Sequence, residues 1–217
     1  VAADPGRTLL GRAEVVARLR RASGVGGQDG RLDYVADVGG RLRVVVLDTE
    51  AAREPGAEFS DGESAARRSS LLGAQQAWLD TRLREAGDRW VVVLSHRPLD
   101  EATLQRLTAF PRVLAALAGD THDHAIRPVR GAGGGAPGLW QITTASLADF
   151  PQQGRMFALR VTPSGGVALD TWVVDHTGGP LAATARELAH LDAQGGRPAG
   201  SAGEPDDRNA RLFRAAR

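Results

Sequence analysis

Residues 118–126 read Ala-Gly-Asp-Thr-His-Asp-His-Ala-Ile, so that Asp120, His122, Asp123 and His124 place two carboxylates and two imidazoles within five positions. Imidazole and carboxylate together are ligands for divalent first-row ions. Two such ions roughly 3.5–4 Å apart can hold a phosphoryl oxygen, lower the pKa of a bound water and stabilise a leaving group. No comparable cluster occurs elsewhere in the 217 residues. A further imidazole, His96, ends the apolar run Trp-Val-Val-Val-Leu-Ser-His, where Pro98 blocks continuation of a strand. A lone histidine at a strand end is usually a hydrogen-bonding residue. Two strand ends that both deliver metal-ligand side chains, one of them after Gly119, argue for a site, since glycine lets the backbone approach a ligand closely.

The elements that must position these residues follow from hydrophobic spacing. The stretch 9–22 has helical periodicity and is stopped by a glycine-rich loop. A hairpin follows, with the turn at Gly39-Gly40 and an apolar second strand over 43–47 that ends at Asp48. Residues 50–70 are polar and loop-like. In the next segment Trp78, Leu79 and Leu83 share a helical face, with Gly87 as the stop. The β-branched run before His96 has the composition of a strand buried on both faces. A helix carrying Leu104, Leu107 and Phe110 and closed by Pro111 leads to the short apolar run 112–119, which delivers Asp120. Strands over 139–146 and 156–161, then an alternating strand around Val167, Leu169, Thr171 and Val173, complete an α/β chain with a β-rich end. His176 reads as structural and His190 as a surface residue. Residues 1–191 form the main unit, and the Gly-, Pro- and charge-rich 192–217 reads as a surface tail with one short helix capped by Asp206 or Asp207.

Composition closes several routes. Cysteine and lysine are both absent, which excludes disulfides, thiolate sites, Schiff-base chemistry and phosphate-loop lysines. The formal charge of +1, with scattered arginines, gives no field for nucleic acid. No apolar run is long enough to span a membrane and no signal-peptide pattern opens the chain, so the compartment is left open. An H-x-H pair also occurs in metallo-β-lactamase-like and amidohydrolase sites, but the downstream Asp-His of the former and the lysine of the latter are missing.

The run ending in Ser95-His96-Arg97-Pro98 and the Gly-Asp-Thr-His of 119–122 resemble the last two metal motifs of the calcineurin-like metallophosphoesterases, and the segments 44–49, 77–96 and 140–155 extend the likeness to a bacterial branch of that family. The resemblance spans most of residues 5–215. It implies a mixed β-sandwich flanked by helices, in four α/β/β/α layers and here partial, that hydrolyses phosphomonoesters or phosphodiesters of small molecules. It also implies two divalent ions (Mn, Fe, Zn or Mg) in a complete domain, with His96 on the second metal and His122 on the first. Asp120 stands where the family has a further histidine, and a carboxylate can still coordinate. His124, Asp48 and Arg97 are secondary candidates, Arg97 because guanidinium matches phosphate oxygens. The family's Asp-x-His, Gly-Asp-x-x-Asp and Gly-Asn-His-Asp motifs are absent from these residues. The expectation is therefore a carboxyl-terminal half, with no catalytic residue of its own and the other ligands on an upstream part of the polypeptide. Such a half would leave 43–47 or 89–94 as an unpaired sheet edge. The alternative expectation is a stand-alone, non-catalytic binding or regulatory module with a degenerate metal site.

Overall fold

Gly39 and Gly40 both take positive φ, which a hairpin turn requires and which glycine adopts without a Cβ clash. They join strands β1 (Tyr34–Val38) and β2 (Leu42–Leu47), the first antiparallel pair of the computed structural model, which describes residues 6, 10–25, 30–50, 71–132, 137–196 and 199–215. The loop-like stretch 51–70 expected from the sequence lies outside the described residues. Helix α1 (Arg12–Ser23) precedes the hairpin.

From β2 onward, strand and helix alternate. Helix α2 (Gly73–Arg84), strand β3 (Trp90–Ser95), helix α3 (Glu101–Thr108) and strand β4 (Val113–Ala118) follow in order. Asp100 caps α3 by accepting a 2.8 Å bond from the Thr103 N–H, an arrangement worth about 1 kcal/mol. Strands β5 (Ala125–Val129) and β6 (Leu139–Thr143) complete a six-stranded sheet in the order β1-β2-β3-β4-β6-β5. Strands β2, β3, β4 and β6 are mutually parallel, and the two edges are antiparallel. The expected unpaired edge at 43–47 or 89–94 is not there: β2 lies between β1 and β3, and β3 between β2 and β4. Strand β5 escaped the sequence pattern because Arg127-Pro128 interrupts its apolar run; proline is tolerated there because β5 is an edge.

The second sheet is antiparallel, ordered β7 (Gly154–Val161), β8 (Val167–Val174) and β9 (Ala210–Arg214). Leu79 and Leu83 of α2 and Leu104 and Leu107 of α3 pack with Val45, Val91 and Val93 on one face of the large sheet. Full burial of each such side chain contributes roughly 1.5–3 kcal/mol. On the other face Trp90, Leu114 and Ile142 meet Val167, Leu169 and Leu212 of the small sheet. The result is a mixed sheet and an antiparallel sheet with helices flanking them. Helix α4 (Pro180–Gln194) buries only Ala189, and no described helix is long and apolar enough to cross a membrane.

The region after Asp192 is not a surface tail. A short helix, α5 (Pro205–Arg208), starts after Glu204 as its N-cap, with Asp206 and Asp207 in its first turn, and β9 then pairs with β8 and buries Leu212. Polarity in the sequence suggested an appendage; the alternation inside Ala-Arg-Leu-Phe-Arg is what lets five residues join a sheet.

Candidate metal centre

Parallel strands bring their carboxyl ends to one edge, where open α/β sheets hold ligands. Here Asp48 follows β2, His96 follows β3, Asp120 and His122 follow β4, and Asp149 lies in the β6–β7 loop. The Gly119 N–H donates to the His96 carbonyl at 2.9 Å, which ties the ends of β3 and β4 together. His96 Nε2 stands 3.3 Å from Asp120 Oδ1; the imidazole is 58% exposed and the carboxylate only 8%. The second oxygen, Asp120 Oδ2, is buried with no hydrogen-bond partner among the described residues.

The backbone at this edge is unusual. Asp120 (φ 62°) and His122 (φ 56°) both occupy the left-handed region, which non-glycine residues seldom enter. Such positions persist when surrounding structure over-determines them, and they concentrate at functional sites. A Cβ at Gly119 would meet, among the described residues, only the His96 carbonyl, at an ordinary 3.7 Å. The tight conformations fall one and three residues later. His122 Nδ1 lies 2.8 Å from Asp149 Oδ2, a partner that sequence reasoning missed. Its only signal was a carboxylate in the loop after a parallel strand.

The three expected ligands therefore stand as two pairs, His96 with Asp120 and His122 with Asp149. Among the described residues, no three His, Asp or Glu side chains come together in metal-holding geometry. The donor set nevertheless fits a divalent cation at the first pair. Ligand atoms about 2.0–2.2 Å from one ion are separated by roughly 3–3.4 Å, which matches His96 Nε2 and Asp120 Oδ1. The unsatisfied Asp120 Oδ2 is a further acceptor awaiting positive charge.

The secondary candidates are occupied otherwise. Asp48 accepts from Arg12 Nη2 at 2.5 Å and from the Leu32 N–H at 3.0 Å, with its carboxylate 6% exposed, so it caps the end of its strand. Arg97 is paired with Glu50 at 2.7 Å and is not presented to an incoming phosphate. His124 is in the core, 1% exposed. Its Nδ1 accepts from the Ala145 N–H at 3.3 Å, and its backbone N–H donates to the Ser201 carbonyl at 3.0 Å, while Nε2 is buried with no partner among the described residues. Burial, reinforced by Arg155 and Arg208, lowers its pKa to about 4 and keeps the ring neutral. His176 is half-buried, and the exposed His190 lies 3.0 Å from the Gln194 amide nitrogen.

The carboxylate-and-imidazole edge thus stands on its own geometry: no protein-family model matches the chain, and no curated protein does.

Proposed function

We propose that this chain carries part of the metal centre of a phosphoester hydrolase acting on a small-molecule substrate. The observation that supports the reading best is the His96–Asp120 pair at the carboxyl edge of two neighbouring parallel strands, with one Asp120 oxygen left unsatisfied. Likeness to the calcineurin-like metallophosphoesterases supports it from the sequence side, through Ser95-His96 and Gly119-Asp120-Thr121-His122. The finer fold assignment, a four-layer α/β/β/α domain represented in part, belongs to the same proposal.

In this reading His96 and Asp120 hold one divalent ion, and His122 contributes an imidazole toward a second. A divalent ion at this edge supplies positive charge to phosphoryl oxygens and acidifies a water molecule. The residues of this chain bind and orient; none of them is assigned as general acid or base. The remaining ligands come from outside these 217 residues, because the upstream motifs are not among them.

Calorimetry with Mn²⁺ or Zn²⁺ on this chain tests the proposal. One weakly bound ion, lost in both His96→Ala and Asp120→Ala, is the expected result, since so few ligands hold a metal poorly. Tight binding of two ions by the chain alone would contradict the notion of a partial centre, and no binding at all would remove the metal reading. In a polypeptide that supplies the upstream motifs, His122→Ala abolishes hydrolysis of an aryl phosphate.

One observation favours a second reading. Strands β2 and β3 are both flanked within the sheet, and both faces of that sheet are covered by packed side chains. That closure suits a stand-alone binding or regulatory module. Metal binding that is never accompanied by hydrolysis, with or without upstream motifs, would select it.

A further inference from the structure

The amino-terminal edge of the large sheet, opposite the His96–Asp120 edge, is lined by arginines that lie far apart in the chain. Arg41, Arg89 and Arg112 immediately precede β2, β3 and β4, which are neighbours in the sheet. The Trp90 N–H donates to the Arg41 carbonyl at 2.9 Å and the Val91 N–H to the Arg112 carbonyl at 2.8 Å, so these arginines stand on adjacent strand ends. Arg130 follows β5, which runs antiparallel to β6 and so returns to the same edge. Arg214 bridges the interval, donating to the Pro111 carbonyl at 2.9 Å and to the carbonyl of Gly138, which precedes β6.

Positive charge accumulates along this row. Asp37 accepts two 2.8 Å bonds from Arg43, and Asp88 stands 3.6 Å from Arg112. Among the described residues neither Arg41 nor Arg130 pairs with a carboxylate. With Asp37 assigned to Arg43, Arg41, Arg89, Arg112 and Arg130 are set against Asp88, an excess of three positive charges on one edge of a chain whose formal charge is +1. Like charges on neighbouring strands repel, so sheet stability does not explain the row. At the Arg130 end it opens into a cleft of about 410 Å³ lined by Pro128, Leu139, Trp140 and Phe213 beside Arg130 and Arg214. At the other end Arg41, Asp88 and Arg89 line a cleft of about 420 Å³.

We propose that this edge docks a short, extended, acidic segment of a partner protein, whose carboxylates meet the arginines and whose apolar side chain enters the cleft at Trp140 and Phe213. Guanidinium pairs with carboxylate in a planar fork, and arginine with aromatic residues is the composition of interface anchors. From β2 to β5 the row crosses four strand spacings, about 19 Å, which an extended chain covers in about six residues. A nucleic-acid strand fits less well. The aromatic side chains that would stack bases stand at one end of the row rather than along it, and the total charge gives little long-range attraction. The surface does not rest on the metal reading above.

Fluorescence anisotropy with a labelled peptide of glutamates carrying a phenylalanine at each end tests the proposal. The expected result is saturable binding that weakens as salt rises, with Arg41→Glu and Arg130→Glu each reducing affinity about 5–10-fold at unchanged melting temperature. Arg186→Glu on α4 changes the net charge equally and leaves affinity at the native value. Phe213→Ala lowers affinity without altering the salt dependence. Absence of peptide binding, equal losses in all three charge variants, or native affinity in either Arg41→Glu or Arg130→Glu overturns the proposal. An oligothymidylate that binds as tightly as the peptide would also overturn it, and would assign the row to nucleic acid.

Discussion

Asp120 and His122 on one side, and His124 on the other, belong to a single five-residue stretch, yet they inhabit opposite environments. The first two sit at a half-open sheet edge in left-handed backbone, with a carboxylate oxygen left unsatisfied. His124 is sealed beneath the segment 199–209. There the Ile126 N–H donates to Asp207 Oδ1 at 2.7 Å, Arg155 donates to the carbonyls of Asp207 and Arg208, and Arg208 donates to the Ala202 carbonyl at 2.6 Å. Residue type is therefore a poor guide to role within such a cluster. What separates the two regions is left-handed backbone at a half-open edge against full burial in the core, for His124 Nε2, like Asp120 Oδ2, is buried with no hydrogen-bond partner among the described residues, and that contrast can be tested from both ends.

The largest effect belongs to the buried side. Gly203 has φ +72°, and a Cβ there would lie 2.6 Å from the His124 carbonyl oxygen and 2.9 Å from its Cβ. Gly203→Ala combines left-handed strain with overpacking against backbone, and is expected to cost roughly 2–5 kcal/mol in denaturant unfolding. A loss below about 0.5 kcal/mol, within the range of neutral surface changes, would mean that the 199–209 segment is not locked on His124.

Titration of His124 comes next. Its folded pKa of about 4 lies below the ordinary 6.5, so between these values the unfolded chain binds more protons. Stability contributed by the neutral ring is complete above pH 6.5 and is lost as pH falls toward 4, by about 2–3 kcal/mol over that interval. The part of the pH dependence that disappears in His124→Gln measures it. If both proteins lose stability in parallel between pH 6.5 and 4, His124 is not the buried neutral group described above.

The smallest effect tests the open side, and its sign is the point. Asp120→Asn keeps the side-chain shape, suits left-handed backbone and removes an uncompensated charge next to the buried Oδ2. Thermal unfolding should show a gain of about 0.5–1 kcal/mol, while Mn²⁺ binding falls, because groups placed for function are often held at a cost in stability. A destabilised Asp120→Asn would indicate that the carboxylate is held for the fold, by its contact with His96.

Much of the architecture could be read from spacing alone. The hairpin at Gly39-Gly40, the face of Leu79 and Leu83, the strand before His96, buried over its first four residues, and the strand Val167–Val174 appear where apolar spacing puts them, although the last is buried over its first five residues rather than alternately. Periodicity is a local property, and burial of one face is enough to enforce it. Strand β5 was not legible because Arg127-Pro128 interrupts its apolar run, and strand β9 because it lies in a polar segment and depends on β8, a partner distant in the chain.

For the site, the sequence by itself determined which side chains stand at the ends of β3 and β4: Pro98 stops one strand, Gly119 follows the other, and parallel pairing then carries His96 and Asp120 to the same edge. Tertiary structure alone decided how the imidazoles and carboxylates are shared out. It gave Asp149 to His122 across 27 positions, turned Asp48 to Arg12 and Arg97 to Glu50, and closed the 199–209 segment over His124. The physical reason is that a carboxylate or imidazole accepts whichever donor, charge or solvent lies within about 3 Å of it, and that neighbour is set by loops and distant segments rather than by the residues adjacent in the chain.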